Sequence, residues 1–227
     1  MRIESGMQQH VPSQISRHPL WLLAGFWICV IIALAVVARR MVELIAPSHN
    51  RPPQTASLDA VFSSHAVLTA FHIIPAAILV LLSNALLLRP ATGEWLQRLF
   101  FSFGTITGAT AYAMSYWAVG GWIERSAVLV FNTWFLFSLG RAYWFRLRRD
   151  PARKREWMAR AVGILLGIST TRPMMGIFFA TSSRTHLGPN QFFGIAFCIG
   201  FSINAGVIEL WLHSKRRGQM HQLQAVL

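Results

Sequence analysis

A few ionisable and hydrogen-bonding residues lie inside otherwise unbroken apolar runs, and they are the residues that could do chemistry. His72, Tyr112, Asn132 and Arg172 each fall in a different run. Counted from one end of those runs they share a depth of about 10–12 Å at 1.5 Å per residue. An arginine so far from an interface cannot easily reach water, and an ionisable group held in an apolar medium is a functional candidate by default. His65 lies seven residues before His72, which places the two imidazoles on one helix face about 10 Å apart. Imidazole can ligate a metal, donate a hydrogen bond or take a proton. His72 is therefore the candidate metal ligand, and His72, His65, Arg172, Tyr112 and Asn132 form the candidate cofactor-binding set. Hydrogen bonds between helices are the plainer role open to the same residues. Arg160 and Glu209 fall at a common depth nearer the opposite end and are expected to form a structural ion pair. Arg141 is expected to snorkel.

Those side chains need helices to hold them. Of the 227 residues 54% are hydrophobic and only 13% charged, with a mean hydropathy of +0.44. A water-soluble domain carries about twice that charge. Six runs are long enough to cross a hydrocarbon core, at about 20–38, 65–88, 99–119, 126–145, 157–180 and 191–212. They are continuous rather than alternating, which excludes a barrel. The expected fold is all-α, a polytopic integral membrane protein built as a six-transmembrane-helix bundle. Residues 1–19 and 213–227 read as solvated tails, and 46–64, with Pro47, Pro52 and Pro53, as an extended loop. The first run exceeds the usual core of a cleaved signal, and Arg39 and Arg40 follow it where small residues would stand. A retained helix is expected.

The net charge of +13 comes from Lys and Arg clustered between the runs. With a cytoplasmic N-terminus, the inner segments hold thirteen of them and the outer segments five, so both termini should face the cytoplasm. The expected partner is the lipid bilayer, with anionic headgroups as counter-charge, and no nucleic acid. Cys29 and Cys198 lie in apolar runs and read as small buried hydrophobes. Gly104, Thr107, Gly108 and Ala111 recur at close-packing spacing. Phosphate-binding loops, dinucleotide fingerprints, hydrolase elbows and Cys-pair metal motifs are absent from the sequence.

From His72 to Glu209 the order of features resembles a bacterial membrane family known as domain of unknown function 2306. The carriers are His72, the Glu94-Trp95 turn, Trp157-Met158 with Arg160, Arg172 twelve residues later, and Asn204 with Glu209. The resemblance implies a multi-pass protein of the bacterial inner (plasma) membrane. Several histidines in such a bundle also invite a cytochrome b-like reading, in which imidazoles on facing helices hold haem b. The family pattern has His where this chain has Glu94 and Lys154, so only His72 is retained, with His65 or His186 as substitutes. Three functions stay open. The first is a polar pocket for a small molecule, a quinone or haem, with Arg172 meeting an anionic group. The second is a non-catalytic assembly or partner-binding membrane subunit. The third is a small transporter, since Pro173 should interrupt the fifth helix.

Overall fold

The computed structural model describes residues 19–46, 53–88, 93–186 and 188–224. They are helical throughout, in eight elements: α1 (Leu20–Ile45), α2 (Pro53–Ser64), α3 (Ala66–Leu88), α4 (Glu94–Ser115), α5 (Gly121–Leu147), α6 (Pro151–Leu165), α7 (Gly167–Thr185) and α8 (Pro189–Gln224). No strand occurs among the described residues. Four helical limbs are long and apolar enough to cross a membrane: 20–45, 66–87, 151–182 and 191–218. The limbs α4 and α5, of 22 and 27 residues, are more polar and fall outside that set.

Two expectations need correction, and a third gains detail. The extended loop over 46–64 instead contains α2. Pro53 is its first residue, where proline's fixed φ suits a helix start and its missing N–H costs nothing. The tail expected after residue 212 is largely exposed where described, and it continues α8 as helix through Gln224. Residues 1–18 and 225–227, the rest of the two expected tails, lie outside the described residues. Finally, Pro173 lies inside α7 without breaking it, and the interruption falls seven residues earlier, between α6 and α7 at Leu166.

Short connections force consecutive limbs to run antiparallel, and α3 packs on α4, α4 on α5, and α7 on α8. Phe100, Phe135, Leu139, Ala142, Met158, Ala161 and Ile164 make the main core between α4, α5 and α6. Glycine sets two approaches. A Cβ at Gly108 would lie 2.4 Å from Leu136, so α4 meets α5 closely there. A Cβ at Gly200 would lie 2.6 Å from the Thr171 backbone nitrogen, so α7 and α8 touch main chain to main chain. Side-chain hydroxyls return to carbonyls four residues back, as Ser83 Oγ does to Leu79 O at 2.7 Å, which satisfies them without water. Ile31, Phe71, Leu81, Val130, Phe137 and Ile177 point outward and are well exposed. So many large apolar side chains on the outside suit lipid contact.

The two ends of the bundle differ. One carries α2, held by a buried ion pair: Asp59 is 0% exposed and accepts from Arg40 Nη1 at 2.6 Å and Arg39 Nη2 at 3.3 Å. Arg40 also lies 4.1 Å from the centre of the Phe62 ring. The other end carries the arginine-rich α5–α6 turn. There Asp150 caps α6 by accepting from Arg153 N at 3.0 Å. Arg155 Nη2 donates to Leu87 O at 2.9 Å, capping the far end of α3. These are called the α2 end and the basic end below.

Candidate functional site

A cavity of about 250 Å³ runs from the α2 end toward the middle of the bundle, with walls from all eight helices. Most of its surface is apolar, from Phe131, Phe135, Phe193, Phe197 and Phe201 on one side and Ile73, Ala76, Ala77 and Val80 on the other. The polar groups on its walls are Arg40, His65, Thr69, His72, Thr107, Ser115, Glu124, Asn132 and Arg172. A few polar groups in an apolar concavity are the usual composition of a small-molecule site.

Of the five candidate cofactor-binding residues, four line this cavity: His65, His72, Asn132 and Arg172. Tyr112 does not. Its hydroxyl pairs with Thr133 Oγ1 at 2.7 Å, on another side of the α4–α5 contact. The cavity face of α4 is Thr107, Ala111, Met114 and Ser115, and Tyr112 follows Ala111 by one residue, a rotation of about 100°. Tyr112 therefore sits on a different face of α4 from the cavity lining.

His72 is held from α4, with Nδ1 3.0 Å from Thr110 Oγ1. The same hydroxyl donates within α4, to Ile106 O at 2.8 Å or Thr107 O at 3.0 Å. Asn132 is 9% exposed, and its Nδ2 donates to Gly108 O at 2.9 Å, a carbonyl reachable because glycine lets the helices approach. His65 sits at the α2–α3 junction, its ring 4.1 Å from that of Trp117, with Nδ1 3.0 Å from Ser64 Oγ and 3.2 Å from Val61 O.

Arg172 is the outlier. Its Nε is cut off from solvent and has no hydrogen-bond partner, and Nη1 reaches only Met175 Sδ at 3.8 Å. Among the described residues no carboxylate comes within 4 Å of it. Glu124 and Asp59 act on it only through space, and Arg39 and Arg40 oppose them. Glu124 is engaged elsewhere: its Oε2 accepts from Gly120 N at 2.5 Å, at the start of α5. Glu124, Arg40 and Asp59 were missed in the sequence because they sit at the ends of apolar runs, where charge is ordinary. Arg40, on the same cavity wall, has Asp59 as its partner, whereas Arg172 faces the apolar cavity without a carboxylate among the described residues.

Arg160 and Glu209 meet at the other end of the bundle. Arg160 Nε donates to Oε1 at 2.6 Å and Nη2 to Oε2 at 3.0 Å, the bidentate geometry of a strong pair. Among the described residues no three His, Cys, Asp or Glu side chains cluster as metal ligands. A bis-imidazole haem does not fit these positions. His65 and His72 reach the cavity from one limb, His65 is stacked on Trp117, and His186 is exposed beyond α7, where its left-handed φ of 52° ends that helix. Comparison with known proteins adds no assignment: no family model, curated protein or solved structure matches the chain.

Proposed function

We propose that this chain is a multi-pass protein of the bacterial plasma membrane that binds a small amphiphilic molecule in its intramembrane cavity. The occupant carries an oxygen-bearing head, a carboxylate or a quinone carbonyl, which accepts from Arg172. Its apolar body lies against Phe131, Phe197 and Phe201. The observation that carries this reading is Arg172 itself: a guanidinium that lines an apolar cavity with an unpartnered Nε and, among the described residues, no carboxylate within 4 Å. An uncompensated buried charge costs several kcal/mol, a cost that a ligand's acceptor oxygens would offset.

In this reading α4 and α5 also cross, which gives six spans. Their lengths of 22 and 27 residues suffice for about 30 Å of hydrocarbon, and they lie between limbs that are apolar enough to cross alone. The basic end then faces the cytoplasm with both termini, as the count of thirteen basic residues to five supports. The cavity opens outward, beneath α2. His72 and Asn132, fixed by α4, orient the head group beside Arg172.

The test is thermal unfolding of the purified protein in mild detergent with decylubiquinone and, separately, with laurate. A probe at 100 times its dissociation constant stabilises by about 2.7 kcal/mol. One of the two should raise the midpoint by several degrees in the native chain and not in Arg172→Leu. Equal shifts in both proteins, or none with either probe, would remove the reading.

A further inference from the structure

At the basic end a second, shallower pocket is lined by Arg141, Phe145, Arg153, Glu156, Trp157 and Arg216. It lies far from Arg172 and plays no part in the cavity described above. Its charges do not balance. The Glu156 carboxylate is taken by Arg216, and Arg160 behind the pocket is taken by Glu209. Arg153 holds Asp150 at 3.5 Å through an exposed contact, which contributes little. Arg141 has no carboxylate among the described residues. Its Nε is buried and makes no hydrogen bond, and its Cζ lies 5.0 Å from the Phe145 ring centre and 5.4 Å from that of Trp157. Arg153 Cζ lies 5.5 Å from the same Phe145 ring. Two guanidiniums thus share one aromatic wall of one pocket, and an anion between them would lower their mutual repulsion.

We propose that this pocket binds the phosphate of an anionic lipid headgroup, with Arg141 and Arg153 donating to its non-bridging oxygens. Arginine matches phosphate in bidentate geometry, and two arginines on aromatic faces stay oriented for it. The pocket's depth selects a lipid as the source. Arg141 lies about 9 Å before the end of α5 at 1.5 Å per residue. Tyr143 and Trp144, both more than 40% exposed, mark the belt where aromatic rings meet headgroups. The α5–α6 turn adds Arg146, Arg148, Arg149, Lys154 and Arg155, a field that concentrates anionic lipid at this face. The proposal rests on α5 crossing the membrane, and it is independent of what the Arg172 cavity holds.

Native mass spectrometry of the full chain, titrated in detergent with phosphatidylglycerol and with phosphatidylcholine, tests it. The expected result is about tenfold tighter binding of phosphatidylglycerol, with the preference lost in Arg141→Gln; tenfold is the low end of what a hydrogen bond to a charged group contributes. Arg153→Gln alters an exposed side chain, keeps the fold, and should weaken the same adduct if Arg141→Gln yields no protein. Arg172→Leu should leave it unchanged, so this test and that of the cavity can fail separately. Excess inorganic phosphate that displaces the lipid, with both effects lost in Arg141→Gln, would support the phosphate chemistry and assign it a soluble source. Equal binding of the two lipids by the native chain, or a preference untouched by both variants, would overturn the proposal.

Discussion

Replacing Arg172 with leucine separates a ligand site from a packing residue, because the two roles predict opposite signs for stability. The side chain contributes little to holding the fold together: one weak contact to Met175 Sδ and an unpartnered Nε. Leucine would meet a cavity wall already rich in phenylalanine and remove a charge that burial penalises. Exchanging buried charge for apolar volume leaves stability unchanged or raises it by about 1–4 kcal/mol. The ligand, by contrast, loses hydrogen bonds from a charged donor worth about 1.5–3 kcal/mol, which is about 10- to 150-fold in dissociation constant. Unfolding midpoints of the native chain and Arg172→Leu should be recorded in detergent with and without decylubiquinone or laurate. The expected pattern is an equal or higher midpoint without probe and a lost response to it. A variant that melts several degrees lower and still responds would refute the reasoning, since Arg172 would then be holding helices together.

Other perturbations have equally definite outcomes. Asp59→Asn leaves Arg40 without its buried partner and should destabilise by about 3–5 kcal/mol, seen as a lowered midpoint and faster proteolysis between α1 and α3; a joint Arg40→Met, Asp59→Leu change should recover most of that. Gly200→Ala drives a methyl into the Thr171 backbone and should cost about 1–3 kcal/mol by thermal unfolding, whereas Gly206→Ala, with nothing within 4 Å, should be close to neutral. Glu209→Gln should lower the midpoint by the equivalent of about 1–3 kcal/mol, and exchanging the two side chains in Arg160→Glu, Glu209→Arg should restore part of it. A dithionite-reduced minus oxidised spectrum of protein expressed with haem in supply should be flat, because His65 and His72 belong to one limb and His186 lies outside the cavity.

The helices were legible because lipid-facing and core-facing positions are both apolar, so each limb reads as one unbroken run. Helix ends were less legible. Hydropathy falls before the backbone does, and α1 and α8 continue past Arg39 and His213 as ordinary polar helix. The segment containing α2 was misread because three prolines suggested a loop, although one of them stands where helices start. Within the site, depth could be counted along each run, and His72, Asn132 and Arg172 do line one cavity. Facing could not be counted without knowing which neighbour each helix meets, and Tyr112 was misplaced for that reason. The Arg40–Asp59 bridge joins residues 19 apart across a connection with no periodic signal, so nothing in the spacing announced it.

The length of α8 constrains how the bundle sits in its surroundings. Its 36 residues extend about 54 Å, against about 40–45 Å for a whole bilayer with its headgroups. Tilting by 20° shortens the projection only slightly. In the six-span arrangement proposed above, the C-terminal part of α8 would stand clear of the surface at the basic end. Arg216 braces it to Glu156 on α6 near the point where it leaves the bundle. The same helix carries Phe197 and Phe201 in the cavity wall and Gly200 against the Thr171 backbone, so the contact that seats α8 on α7 also sets the position of that wall.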